Sequence, residues 1–158
     1  MILDRIKEII KIQKVIEKEL DDMVFSKIPE VSKDLGDKLL GMIEDTGNNY
    51  RIALSPKITI DPIEQRVTLW LLPRSSCSYI KSGLEKVHIQ LSLPGLFGMD
   101  DWEMPSLKFR TRVSKRLRDG IKSYLSGLGF SVCLGSGEDC YYYTGESKNL
   151  IYSICITK

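Results

Sequence analysis

The spacing of apolar residues changes twice along the chain. Isoleucine, leucine and methionine recur at steps of three and four over residues 2–24, which is the period of an amphipathic helix. After residue 50 the pattern is strand-like, and over residues 84–93 apolar and polar residues alternate one by one, as in a strand with one buried face. The helical period returns over residues 105–127. We therefore predict an α+β fold, with an N-terminal helical arm and a mainly antiparallel sheet on which one long amphipathic helix packs.

The first helix carries a heptad seam, in which apolar residues repeat every 3.5 residues on average. Such a seam packs either within its own domain or against neighbouring subunits, and the pattern leaves both open. A polar residue in the seam can set the register of an oligomer, or it can lie at the edge of an intramolecular groove. The candidate interface residues here are Ile2, Ile6, Ile9, Gln13 and Ile16.

Pro29 is expected to interrupt this helix, because proline lacks the N–H that the helix requires. A second helix is predicted over residues 31–44, ended by the Thr46-Gly47-Asn48-Asn49 turn. The expected organisation is a helical arm over residues 1–46 and an α+β domain over residues 47–158, which together form a single folding unit.

Three strands are predicted next, over residues 50–54, 58–60 and 65–72, with turns at Ser55-Pro56 and Asp61-Pro62. The third is apolar on both faces, so it should be central or covered by the N-terminal helices. Val67, Leu69 and Leu71 share one of these faces, and Trp70 and Leu72 share the other.

Residues 84–93 alternate between apolar and polar, which predicts a half-exposed antiparallel strand. His88, the one histidine of the chain, falls on the polar side. A catalytic histidine needs a nucleophile and an orienting acid within reach, and the neighbours Lys86 and Gln90 supply neither. We expect an ordinary surface histidine and no catalytic residue.

Residues 94–105 combine large apolar side chains with glycine and proline, so regular structure is not expected there. These side chains either fold over the core of their own domain or anchor a partner. The acids Asp100, Asp101 and Glu103 favour the positive end of the following helix and are weak evidence for a metal site. The further candidate interface residues are Leu96, Phe97, Met99, Trp102 and Met104.

The helix over residues 105–127 should bury one apolar arc. Gly120 lies in that arc, where a missing side chain lets the helix approach a sheet closely, and Gly127 is expected to be its left-handed stop. The opposite side is basic, which suits either solvent or the phosphates of a nucleic acid. The residues of that nucleic-acid alternative are Arg110, Arg112, Lys115, Arg116, Arg118 and Lys122.

Three strands over residues 130–134, 140–143 and 150–157 should form a final antiparallel meander. Its first turn would place Cys133 opposite Cys140, as two reduced thiols or as a strained disulfide. The four cysteines have no C-x-x-C spacing, so a zinc site is not expected unless four thiolates from distant segments come together. No cofactor is expected.

Composition narrows the possible partners. The 23 basic and 21 acidic side chains nearly cancel, so the overall charge does not call for nucleic acid or an anionic membrane. Neither a signal peptide nor a membrane span is expected, which predicts a cytoplasmic protein.

The second half of the chain resembles the tail-terminator proteins of long-tailed phages. The resemblance rests on a strand ending in Leu-Pro (Val87-His88-Ile89-Gln90-Leu91-Ser92-Leu93-Pro94), a helix, a Gly-Phe-x-Val entry to the next strand, and a terminal strand over residues 150–156. The two expected N-terminal helices are longer than the usual opening of that family. The resemblance implies a ring-forming, non-enzymatic protein of a phage tail end, which would be carried into the virion.

The sequence thus favours a structural or assembly protein whose partners are itself or other protein subunits. The alternative is a nucleic-acid-binding module that uses the basic helix.

Overall fold

The computed structural model describes residues 1–50, 54–73, 87–100, 106–136 and 152–157. A long helix comes first, three strands follow, and a second helix precedes the last two strands. This is the α+β fold that the sequence predicts. The elements are α1 (Ile2–Tyr50), β1 (Leu54–Asp61), β2 (Arg66–Pro73), β3 (Val87–Ser92), a 3-10 turn (Pro94–Phe97), α2 (Leu107–Gly127), β4 (Ser131–Ser136) and β5 (Tyr152–Thr157).

The five strands form one sheet in the order β3-β2-β1-β5-β4, and every neighbouring pair is antiparallel. Alternate residues of β1, β2 and β5 point to one face, where Val67, Leu69 and Leu71 are buried as predicted. Both helices contact this sheet and each other. The hydrophobic core therefore lies between the helices and the inner face of the sheet.

A single helix replaces the two that were predicted before residue 47, and it passes through Pro29. The predicted interruption is therefore wrong, as is the predicted end at residues 46–49. Buried side chains keep the helical spacing on both sides of the proline, at Val24, Ile28, Val31 and Leu35. Proline inside a helix costs about 3 kcal/mol or more, and the continuous buried stripe offsets that cost.

Strand β1 is longer than predicted, because Ser55-Pro56 lies inside it and is not a turn. Pro56 is opposite Leu71 of β2, whereas the described pairing of β1 with β5 begins one residue later, at Lys57. Pro56 therefore lies just outside the β1–β5 pairing, where a residue without an N–H is tolerated. The predicted turn after β1 is present, where Asp61 Oδ1 accepts from the backbone N–H groups of Ile63 (2.9 Å) and Glu64 (3.2 Å).

Helix α2 begins at Leu107, two residues later than the predicted start at Pro105. Its N-cap is Ser106, whose Oγ accepts from the Phe109 N–H at 3.1 Å. The predicted left-handed stop at Gly127 is wrong: Gly127 ends the helix, and the positive φ (94°) belongs to Gly129. Most of the predicted apolar arc is buried, whereas Leu128 is exposed because it follows the helix end.

The two helices touch most closely at two glycines. A Cβ on Gly120 of α2 would lie 2.3 Å from Ser32 Oγ of α1, and a Cβ on Gly36 of α1 would lie 2.7 Å from the Tyr124 ring of α2. The close approach predicted at Gly120 is thus present, but it is made to α1 and not to the sheet. The Tyr124 hydroxyl donates to the Asp37 carboxylate beside this contact.

Replacing Gly120 with alanine should destabilise the fold by about 1–2 kcal/mol, because the new methyl group would overlap Ser32 Oγ. The energy cost of that overlap exceeds the stabilisation that alanine gains from its higher helix propensity. The matched change Gly41→Ala has no atom within 4 Å of the new Cβ, so it should raise stability by up to about 1 kcal/mol. Urea unfolding of both variants at one protein concentration measures the difference. Ser32→Ala added to Gly120→Ala should recover part of the loss, and equal stabilities of Gly120→Ala and Gly41→Ala would contradict the close contact.

Tyr124 should titrate later than an ordinary tyrosine. Its hydrogen bond to Asp37 is the main reason that its pKa is raised above 10.0. Desolvation and the negative charge of Asp37 raise the pKa further. A raised pKa favours the neutral phenol in the folded state, so this stabilisation is complete below pH 10 and is lost as pH rises through the raised pKa. The difference in phenolate absorbance between wild type and Tyr124→Phe isolates this group. Asp37→Asn should lower its pKa, and an unchanged titration would contradict the assigned contact.

Candidate interaction surface

The first part of α1 extends away from the rest of the described chain. We call residues 2–19 the arm, which is shorter than the helical arm of residues 1–46 expected from the sequence. Every residue in it is exposed, and Leu20 is the first that is partly buried. At a rise of 1.5 Å per residue, its 18 residues span about 27 Å. The remainder of α1 packs against α2 and the sheet, and we call that packed part of the chain the body.

Eight large apolar side chains of the arm are between 45% and 77% exposed. They include every apolar residue of the predicted seam within the arm, and Gln13 is exposed beside them. A contiguous exposed apolar surface of this kind usually marks an interaction site and seldom remains in contact with solvent. The eight residues are Ile2, Leu3, Ile6, Ile9, Ile10, Ile12, Val15 and Ile16.

The arm has little to hold it helical by itself. An isolated helix of this length is marginal in water, and isoleucine and valine are weaker helix formers than alanine or leucine. The ion pair found within the arm segment joins the N-terminal ammonium to Asp4 at 3.0 Å, and both groups are fully exposed to solvent. Burial of the apolar side chains against a partner would supply the stabilisation that local interactions lack.

A cluster of rings and charges fixes the point where the arm leaves the body. Arg112 of α2 pairs with Asp21 at 2.7 Å, and its guanidinium lies 5.2 Å from the centre of the Phe25 ring. Phe25 meets Phe109 edge to face, with 6.1 Å between ring centroids. These contacts hold the first turns after the arm against the start of α2, so the direction of the arm is set by the body.

The second predicted interface, after β3, divides between core and surface. Phe97 and Met99, which were predicted to contact a partner, are buried in the core of this chain and are not available to one. Leu96 is half-buried against the same core. The 3-10 turn at Pro94–Phe97 folds these side chains over the end of the sheet. Trp102 and Met104 lie outside the described residues.

Four of the six residues of the basic alternative are engaged within the chain. Arg110 donates to the Ile63 carbonyl, and Arg116 lies 5.6 Å from the Phe25 ring centre. Arg118 pairs with Asp119 and lies over the Tyr152 ring, while Arg112 holds Asp21. Lys115 and Lys122 are exposed. The helix therefore does not present a continuous row of free cations.

The outer face of the sheet carries an open pocket of about 350 Å³, with Trp70 at its side. Its charged groups have partners within the chain: Asp61 accepts from the turn that follows it, and Glu64 pairs with Arg66 at 3.1 Å. Trp70 Nε1 donates to Thr59 Oγ1 at 2.9 Å. His88 is exposed, and its ring lies 5.2 Å from that of Trp70. Among the described residues that line this pocket, the structure thus places no nucleophile beside an available base.

Cys133 of β4 is directly opposite Cys155 of β5 in the sheet register. The predicted partner Cys140 lies outside the described residues, as does Cys77. Among the described side chains, no group of three or more histidine, cysteine or acidic residues is placed to hold a metal ion. No helix in the described ranges is both long enough and apolar enough to cross a membrane.

Comparison of the chain with protein-family models, with curated proteins and with solved structures finds no match. The candidate surface therefore has to be judged on its own chemistry. Of the sequence-predicted site residues, the structure brings the seam together on one exposed helix and places Phe97 and Met99 in the core. The Asp21–Arg112 pair that anchors the arm was not predicted, because 91 residues separate its members and no local pattern connects them.

Proposed function

We propose that this chain is a non-enzymatic structural or assembly protein that associates with itself through the arm. The observation that carries the proposal is the row of eight exposed apolar side chains on a helix that nothing in the described chain covers. Burying such a surface is favourable by about 25 cal/mol per Å² of apolar area removed from water. Association of arms is the simplest way for the protein to bury it.

The resemblance to phage tail terminators gives this proposal a more specific form, a ring-forming component of a phage tail or neck. It is supported by the order of the elements on which the resemblance rests, namely β3, then α2, then β4 and β5. A ring requires each subunit to offer surfaces to two neighbours. The arm would supply one such surface.

We do not extend the proposal to nucleic acid. Arg110, Arg112, Arg116 and Arg118 already make contacts within the chain, although Arg112 and Arg116 are exposed together with Lys115 and Lys122. Phosphate binding would compete with those contacts. The exposed apolar side chains of the arm, in contrast, are covered by nothing in the described chain.

Light scattering over a series of concentrations should show an oligomer that Ile9→Asp dissociates, because a carboxylate at the centre of the seam cannot be buried without a partner. Ile9 is half exposed in the single chain, so the body should unfold at an unchanged temperature. Far-ultraviolet circular dichroism should also report loss of helix as the arm loses its partner.

The matched control is Lys11→Asp, which places the same carboxylate on the polar side of the arm. It should leave the molar mass unchanged. A wild-type protein that is monomeric at every concentration would contradict self-association, and retention on DNA at low salt would then favour the nucleic-acid alternative.

A further inference from the structure

We propose that two copies of this chain pair through their arms in antiparallel orientation, about a two-fold axis near Lys11 and Ile12. The inference rests on the proposed function and specifies its geometry. The occupant of the exposed arm is thus a second copy of the same arm. What carries this choice is the order of charged and apolar residues on the two flanks of the seam.

Each flank of the seam contains three residues of the arm. One flank has Arg5, then Ile12, then Glu19 at seven-residue intervals, and all three are exposed. When one of two identical helices is reversed, each flank meets the same flank of the other copy, so the first residue faces the last and the middle residue faces itself. Arg5 of each copy then lies beside Glu19 of the other, and the two Ile12 side chains meet at the axis.

The opposite flank fits the same axis. It contains Leu3, Ile10 and Glu17, so reversal brings the two Ile10 side chains together and lays Leu3 beside the aliphatic stem of Glu17. The apolar width of the arm, which exceeds that of a simple two-stranded seam, is thereby used at the centre of the pair. Ion pairs along the described chain involve neither Arg5 nor Glu19, so both side chains are available for the contact.

A parallel pair matches the flanks poorly. Parallel helices place each residue of one flank beside the residue five positions later on the opposite flank of the partner. Arg5 would then lie beside Ile10, and Ile12 would lie beside Glu17. Charged and apolar groups would alternate along the contact, and no ion pair would form.

The length of the arm suits the antiparallel arrangement. The seam then pairs Ile2 with Leu20 of the second copy and Ile6 with Ile16 of the second copy. Leu20 is the residue at which α1 becomes partly buried in the body. The start of each arm therefore reaches the body of the other copy, and the two bodies lie at opposite ends of a contact about 27 Å long.

Charge reversal tests the pairing. Arg5→Glu and Glu19→Arg should each weaken the dimer about tenfold at low salt, because each creates two like-charge contacts across the axis. The double variant Arg5→Glu with Glu19→Arg restores opposite charges and should recover wild-type affinity. Lys11→Glu, on the polar side, makes the same charge change as Arg5→Glu and should have little effect. A double variant weaker than either single variant would overturn the pairing.

A photo-crosslink reads the orientation directly. A benzophenone amino acid in place of Ile2 should react with the tryptic peptide of residues 19–27 of the second copy, which contains Met23. Positions 2 and 20 are about 27 Å apart along one helix, so this product cannot form within a single chain. A crosslink to the peptide of residues 1–5 would establish parallel arms, which overturns this inference while the proposed self-association stands. A monomer with no crosslink would overturn both.

Discussion

The close contact between α1 and α2 is the constraint on which the rest of the structure depends. Gly120 lets α2 approach until the Ser32 side chain of α1 occupies the space of the missing Cβ, and Gly36 does the same for the Tyr124 ring. Two helices this close form one continuous layer, which covers the apolar face of a five-stranded sheet. The same contact fixes the axis of α1, and therefore the line along which the arm leaves the body.

Much of the fold could be predicted because the buried faces follow short, regular periods. Val67, Leu69 and Leu71 are buried on alternate positions of β2, and Phe109, Val113 and Leu117 on successive turns of α2. The errors occurred where a local signal competed with packing. Pro29 and Pro56 each predicted a break. Pro29 instead lies on the exposed side of a helix whose buried stripe continues past it, and Pro56 lies at the end of a strand pairing. Residue propensities cannot show how much buried surface a distant element will supply.

The candidate surface was only partly predictable for the same reason. The heptad pattern in residues 2–24 is equally consistent with an intramolecular helix pair and with an exposed arm. The structure separates the pattern at Leu20: residues before it are exposed, while Val24 is completely buried. The large apolar residues after β3 show the opposite outcome, since Phe97 and Met99 resembled partner anchors in sequence but close the end of the core.

The proline inside α1 also has a mechanical consequence. Because Pro29 has no N–H, the carbonyl of Phe25 lacks its donor within the helix, and helices bend most readily at such a point. Pro29 lies about 40 Å from the tip of the arm, so a bend of about 10° there would displace the tip by about 7 Å. The contacts of Asp21, Phe25 and Ile28 with the body resist that bend, because these residues lie between the arm and Pro29. The packing of residues 21–28 therefore determines the stiffness of the whole projecting helix.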